Sequence, residues 1–268
     1  MRNTRSNLER AYDMAARGAA GIPEFYRQLR KSTVWFPVAV APEAGEKLVV
    51  TRKTQVPLQP WEEIGEGTRL PIWTSGERAR SAMAEAGDVR SRLAWVRGED
   101  YFVLAASTGL PVMINPASKG TMLRLEPETV MGLATGTILE PVAPRAGVYG
   151  RIRHVAVEDW PASFLGPLFE FLQSRPEALG AWYCRQTDAP DPRIVSHAFA
   201  LWVAGTPGEA KRLELDFTMV AREVCPPGEE FGVMMLNPQE PATLAFMRSG
   251  VPFHKAGGLA GDCGEKRS

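Results

Sequence analysis

Leu110-Pro-Val-Met-Ile-Asn-Pro116 decides the reading of this chain, together with a stretch that repeats its form, Phe231-Gly-Val-Met-Met-Leu-Asn-Pro238. Each is a short apolar run bounded by turn chemistry, which reads as a buried strand entering an Asn-Pro turn. After each comes a similar helix start: Glu126-Pro-Glu-Thr-Val-Met-Gly-Leu-Ala-Thr-Gly136, then Glu240-Pro-Ala-Thr-Leu-Ala-Phe-Met-Arg-Ser-Gly250. Proline fits the first helical position, where its missing N–H has no partner to lose. Acidic charge fits the positive helix end, and glycine fits the position past the other end. The predicted class is α+β: two consecutive α+β domains, each a small mixed sheet with flanking helices. Two explanations of the echo stay open, chance recurrence of helix-start patterns and a degenerate tandem duplication. In the second, Ala117 to Leu125 is an insertion in the first copy.

Working outward, Pro23-Glu-Phe25 and Pro167-Leu-Phe169 each begin a helix leading to a Trp-bearing strand, at Trp35 and Trp182. Residues 3–20 read as an amphipathic helix with Leu8, Tyr12, Ala15 and Ala19 on one face. Val34 to Val40 is a strand whose Pro37 suggests an edge or a bulge, and Leu48 to Thr51 is a second. Leu70-Pro-Ile-Trp73 is a further strand, and Thr74-Ser-Gly-Glu77 a capping box opening a helix to about Ala84. Leu93 to Val96 reads as a strand. Tyr101 to Ala106 reads as a helix, because acidic residues open it and Thr108-Gly109 closes it.

In the second half a helix over Trp160 to Gln173 carries the core stripe Phe164, Leu168, Phe171 and Leu172. Strands are expected at Ala181–Cys184, His197–Val203 and Leu213–Val220, with Gly205-Thr-Pro-Gly208 a turn between the last two. The domains are expected over residues 1–140 and 151–256. The Pro/Gly-rich 141–150 is their linker, and 257–268 a disordered tail.

A chain of 268 residues has material for two cores. Lys plus Arg and Asp plus Glu both number 31, so no net field favours nucleic acid or an acidic membrane surface. Three scattered cysteines, Cys184, Cys225 and Cys263, make no disulfide framework and fit a reducing compartment. No stretch approaches the roughly 20 apolar residues of a membrane span, and Met1 to Arg10 is polar, without the apolar run expected of a signal peptide. The expected location is the cytoplasm.

Three stretches resemble the SseB family, the enhanced serine sensitivity proteins: Leu70-Pro-Ile-Trp-Thr-Ser-Gly-Glu-Arg-Ala79, Val112-Met-Ile-Asn-Pro-Ala-Ser-Lys-Gly120 and Val251-Pro-Phe-His-Lys255. The first two imply the family's N-terminal domain over roughly residues 8–140. The third implies its C-terminal domain over roughly 150–256, with His254 where the family has Tyr. The resemblance carries over no catalytic residue.

No HxH, HExxH or CxxC spacing marks a metal site, and no cofactor is expected. His154 reads as part of a solvated basic edge, and His197 as a half-buried strand histidine. Cys184 reads as a small buried side chain. Glu214 and Asp216, two apart on the expected strand, would face the same way as solvated charge. Asn115, Ser118 and Lys119 form a polar turn at a strand end, which reads either as a turn fixed by Asn and Pro or as a site available to an anion or a partner. Trp61, in the loop Pro60-Trp-Glu-Glu, is the aromatic expected to be exposed and to contact a partner. The leading expectation is a non-enzymatic interaction or regulatory module that meets a protein partner. The alternative is a small-molecule (amino-acid-like) sensor or enzyme with its site between the two halves.

Overall fold

The computed structural model describes residues 6–38, 56, 58–63, 67–86, 92–117, 122–140, 152–186, 196–226 and 229–256. The chain divides into two compact units, residues 1–140 and 141–268. The expected strand at Leu48–Thr51, the linker, the tail, Ser118, Lys119 and Cys263 lie outside the described residues.

Unit 1 contains α1 (Asn7–Ala15), α2 (Ile22–Lys31), β1 (Thr33–Val38), β2 (Trp61–Glu63), β3 (Gly67–Ile72), α3 (Gly76–Glu85), β4 (Arg92–Arg97), α4 (Gly98–Ala106), β5 (Val112–Ile114), β6 (Leu123–Leu125) and α5 (Pro127–Thr135). Helix α1 is shorter than its sequence pattern, because Ser6 and Glu9 close a capping box that fixes its start. Leu8, Tyr12 and Ala15 are buried along one stripe. Pro23 stands near the start of α2, whose Phe25, Tyr26 and Leu29 are buried. Helix α4 begins against α2 so closely that a Cβ at Gly98 would stand 1.8 Å from the Leu29 carbonyl oxygen. The Gly98 N–H donates to the Ser32 carbonyl at 2.8 Å. Glycine is required there for space.

Strand β3 runs parallel to β5 and antiparallel to β2, and β5 is antiparallel to β6. A bridge between Trp35 and Trp73, with mutual backbone bonds of 3.0 and 2.8 Å, ties β3 to β1, which pairs antiparallel with β4. Helix α3 is capped by Ser75, whose hydroxyl accepts from Arg78 N–H. The sequence pattern put the cap one residue early, because Thr74 is drawn into another contact described below.

Unit 2 contains β7 (Ile152–His154), α6 (Ala162–Gln173), β8 (Ala178–Gln186), β9 (Ser196–Val203), α7 (Pro207–Val224), β10 (Glu230–Met235), α8 (Pro241–Ser249) and β11 (Pro252–Lys255). Its central β8 is antiparallel to β9, β11 and β7, and β9 is parallel to β10. The expected strand at Leu213–Val220 is instead the middle of α7. Thr206 and Glu209 form a capping box that starts this helix, with Pro207 in its first turn. Leu213, Asp216, Phe217, Val220 and Ala221 are buried at helical spacing. The apparent alternation of Leu213-Glu-Leu-Asp-Phe217 is a local coincidence that the longer period overrides.

The echo between the halves extends to strand order. In unit 1 the order β5–β3–β1–β4 runs parallel, antiparallel, antiparallel. In unit 2 the order β10–β9–β8–β11 repeats those directions. The fourth strand comes from different places in the two halves: β4 precedes β5, whereas β11 follows β10. The closing glycines differ too. Gly136 ends α5 with a left-handed φ of 85°, and Gly250 leaves α8 extended.

Candidate functional site

Side chains alternate across a strand, and register partners point to the same face. Arg69 lies opposite Trp61 across β3 and β2, and Pro71 lies beside Met113 across β3 and β5. These four therefore share one face of the unit 1 sheet. Leu70, Ile72, Val112 and Ile114 turn to the other face and are buried. Toward the end of β3, Trp73 continues the first face and is covered by Ala79, Ala82 and Met83 of α3. Beyond that cover a groove of about 330 Å³ remains, walled by Trp61, Arg69, Pro71, Met113, Pro116 and Met122. Exposed Glu62 and Ala117 stand beside it.

The groove is mostly apolar but contains one buried cation. Arg69 is 3% exposed, and its Nη1 donates to the Met113 sulfur at 3.5 Å. A guanidinium keeps its charge at any ordinary pH and holds its donors in a planar fork suited to carboxylates.

Two features predicted from sequence, Trp61 and the Asn115 turn, border this groove from positions far apart in the chain. They play different parts. Trp61 is half-buried, its ring edge-on to Trp73 with centroids 5.4 Å apart. The exposed tryptophan is Trp95, at 58%, against the expectation for Trp61. Residues that look like a polar loop at Pro60-Trp-Glu-Glu pair with β3, and this pairing turns the Trp61 indole onto the sheet. Asn115 is fully buried, and its side-chain oxygen accepts from Thr74 N–H at 2.9 Å and Thr74 Oγ1 at 3.2 Å. Its own N–H donates to Ile72 at 2.7 Å. The Trp73 indole N–H donates to the Pro116 carbonyl at 3.2 Å. The turn is thus clamped from beneath, with Asn115 serving the fold and Pro116 and Ala117 facing the groove. Asn115 and Ala117 have φ of 53° and 56°. Alanine in this left-handed region costs about 1 kcal/mol, and such strain gathers at sites where a ligand or partner is met.

Unit 2 holds a second polar cluster. His197 Nε2 lies 2.5 Å from Glu229 Oε2, and its Nδ1 lies 2.7 Å from the Tyr183 hydroxyl. An ionised carboxylate only accepts, so the Glu229 contact calls for the hydrogen on Nε2, while Nδ1 is engaged by the Tyr183 hydroxyl. Burial pushes the Tyr183 hydroxyl up, while contact with Arg185 opposes that. Burial also lifts the Cys225 and Cys184 thiols to about 12, leaving neither as the thiolate needed for attack near neutral pH. Tyr183 is 1% exposed. The cluster fastens the start of β9 to the segment before β10 and presents no nucleophile at a surface. Sequence reasoning found His197 but missed Glu229, which is separated from it by 32 residues.

The other histidines stand apart. His154 is half-buried rather than on a solvated edge: Nε2 contacts the Phe246 carbonyl at 3.1 Å, and its ring lies 4.4 Å from that of Phe246. Its Nδ1 lies 3.6 Å from the Cys184 sulfur. His254 is buried, with Nε2 3.0 Å from the Ala178 carbonyl. Among the described residues no group of three or more His, Cys, Asp or Glu side chains could hold a metal. Asp216 is 1% exposed and accepts from Arg175 at 2.9 Å, because the helix turns it inward and away from Glu214. No helix among the described residues is long and apolar enough to cross a membrane.

The mixed sheet, flanking helices and walled groove of unit 1 define a small α+β module with a recess on one sheet face. Residues 8–131 match the family model of the SseB protein N-terminal domain, so the groove lies within an SseB-like domain. No matching curated protein and no matching solved structure was found.

Proposed function

We propose that this protein is a non-enzymatic recognition module of the cytoplasm. It holds a short segment of a protein partner in the unit 1 groove. One observation carries this reading: Trp61, Pro71, Met113 and Pro116 form an apolar recess around the buried Arg69 guanidinium. Aromatic and arginine side chains in a desolvated recess are the groups that dominate binding energy at interfaces. The surrounding chemistry favours binding over turnover, since the described residues that line the groove are mostly apolar and include no histidine or cysteine.

Unit 2, in this proposal, is the C-terminal domain of an SseB-like protein. The resemblance of Val251-Pro-Phe-His-Lys255 and the repeated strand order support that assignment.

The test compares the full chain with Trp61→Ala and Met113→Glu, each checked by thermal melting, as baits in extract of the native host. A protein retained by the parent and lost from both folded variants supports the groove as the site. Equal retention by all three overturns it. A second reading, a small-molecule sensor, is favoured by the volume, since about 330 Å³ falls within the range of small-ligand pockets. A thermal-shift screen of small organic acids and amides tests that reading, because a ligand bound only by the native state raises the melting temperature.

A further inference from the structure

We infer that two copies of this chain join through β10, the two strands antiparallel about a two-fold axis at Val233. The inference concerns unit 2 and stands apart from the unit 1 groove. It begins with the repeated strand order. In unit 1, β5 is an interior strand, with parallel β3 on one side and antiparallel β6 on the other. Its counterpart β10 pairs with β9 alone among the described residues, so no strand of unit 2 takes the place that β6 fills in unit 1.

The residues of β10 suit an interior strand. Phe231, Val233 and Met235 share one face with buried Phe199 and Leu201, and the Phe231 ring lies 6.3 Å from that of Phe199. Met234 packs on the opposite face against Trp182, Cys184, Ala198 and Ala200. A run that is apolar on both faces is the pattern of a strand inside a sheet. The edge strands β4, β6 and β11 carry the exposed charges that discourage pairing, Arg92 and Arg97, Arg124, and Lys255. In β10 only the first residue, Glu230, is charged.

Backbone direction decides which groups are on offer. Leu236 N–H donates to the Leu201 carbonyl at 2.7 Å, so Met234 and Gly232, two and four residues before it, also turn their N–H and C=O toward β9. Phe231, Val233 and Met235 turn theirs outward. An antiparallel copy centred on Val233 joins these three in hydrogen-bonded pairs, Phe231 of each copy with Met235 of the other and Val233 with its own counterpart. Gly232 then faces Met234 of the other copy in a non-hydrogen-bonded pair, where side chains approach most closely. A Cβ at Gly232 would meet no heavy atom within 4 Å among the described residues, which leaves the space a methionine needs. Glu230 falls opposite Leu236 and not opposite itself, so no like charges are apposed. The pairing uses each β10 once and closes the assembly at two copies.

Sedimentation of the full chain over a dilution series tests this, together with amide hydrogen exchange of the ¹⁵N-labelled chain. Twice the chain mass is expected at the concentrated end. The amides of Phe231, Val233 and Met235 should be protected in the dimer and exchange about tenfold faster or more in the monomer. Those of Gly232 and Met234, turned toward β9, should stay protected in both. Gly232→Lys puts a charge where Met234 of the other copy would sit, in space that one copy leaves open. It should keep the melting transition and weaken the dimer about a hundredfold. Val233→Pro removes an outward N–H, a change that an edge strand tolerates, and should act in the same way. If neither variant folds, protection of the three outward amides in the unaltered dimer still decides. A single chain mass at every concentration up to the solubility limit overturns the inference. So does a dimer that the folded variants retain, fast exchange of the three outward amides in the dimer, or a mass above two copies.

Discussion

The side-chain oxygen of Asn115 accepts two hydrogen bonds from Thr74, one from its backbone N–H at 2.9 Å and one from its hydroxyl at 3.2 Å. This pair joins the ends of parallel strands β5 and β3, 41 residues apart in the chain, and sets the turn that borders the groove. Replacing Asn115 by Ala strands two buried donors and puts at φ 53° a residue that tolerates the left-handed backbone less well than asparagine. A loss of about 3 kcal/mol in chemical denaturation is expected. Asn115→Gly, which relieves the backbone but not the donors, should recover about 1 kcal/mol of that. If the two variants prove equally stable, φ at this position carries no strain.

Gly98 tests how tightly α4 closes on α2. A methyl group there would overlap the Leu29 carbonyl oxygen, a backbone atom that cannot rotate away. Gly98→Ala is expected to cost about 3 kcal/mol or more in urea denaturation, although alanine normally favours a helix. A neutral or stabilising result would show that the α2–α4 contact relaxes freely.

Asp216 and Arg175 make a pair in which the carboxylate is buried and the guanidinium is partly open. Asp216→Ala takes the buried carboxylate away from the guanidinium it meets at 2.9 Å, and should destabilise unit 2 by about 3 kcal/mol. The double replacement Asp216→Leu with Arg175→Met should lose less than Asp216→Ala alone, since no buried charge is then stranded. A double-mutant cycle measured by denaturation checks both statements.

Alkaline pH should weaken the fold. Burial lifts Cys184 and Cys225 from 9.0 to about 12, and raises the Tyr183 and Tyr12 hydroxyls. Groups raised in the folded state contribute stability that is complete below their unfolded pKa and is lost as pH climbs toward the folded value. Melting temperatures should therefore hold up to about pH 9 and fall between about 9 and 12. Cys184→Ala and Cys225→Ala should each shallow that fall. An unchanged slope in both would mean that the thiols ionise as readily in the native state as in the unfolded one.

Much of the fold is legible along the chain where a signal is local. Pro23, Pro127 and Pro241 each stand at or next to a helix start, and Gly136 ends α5 in the conformation that favours glycine. The α4 helix follows its acidic opening at Glu99 and Asp100. Helix α7 is the instructive failure. Five residues of alternation suggested a strand, while the capping box at Thr206 and Glu209 carried the decisive signal a turn earlier. The candidate site was legible only in part. Trp61 and the Asn115 turn could be singled out, but the Glu62-side strand, the burial of Arg69 and the inward aim of Asn115 follow from pairing across long separations.

The sequence alone determined the α+β class, most helix starts and the repeated strand–Asn-Pro–helix unit, because caps, prolines and apolar periodicity act within a few residues. Only the tertiary structure decided that Trp61, Arg69, Pro71 and Met113 share a face, and that Glu229 meets His197. Those facts depend on strand register and chain crossing, and two residues that meet through a sheet carry no mark of each other in their own neighbourhoods.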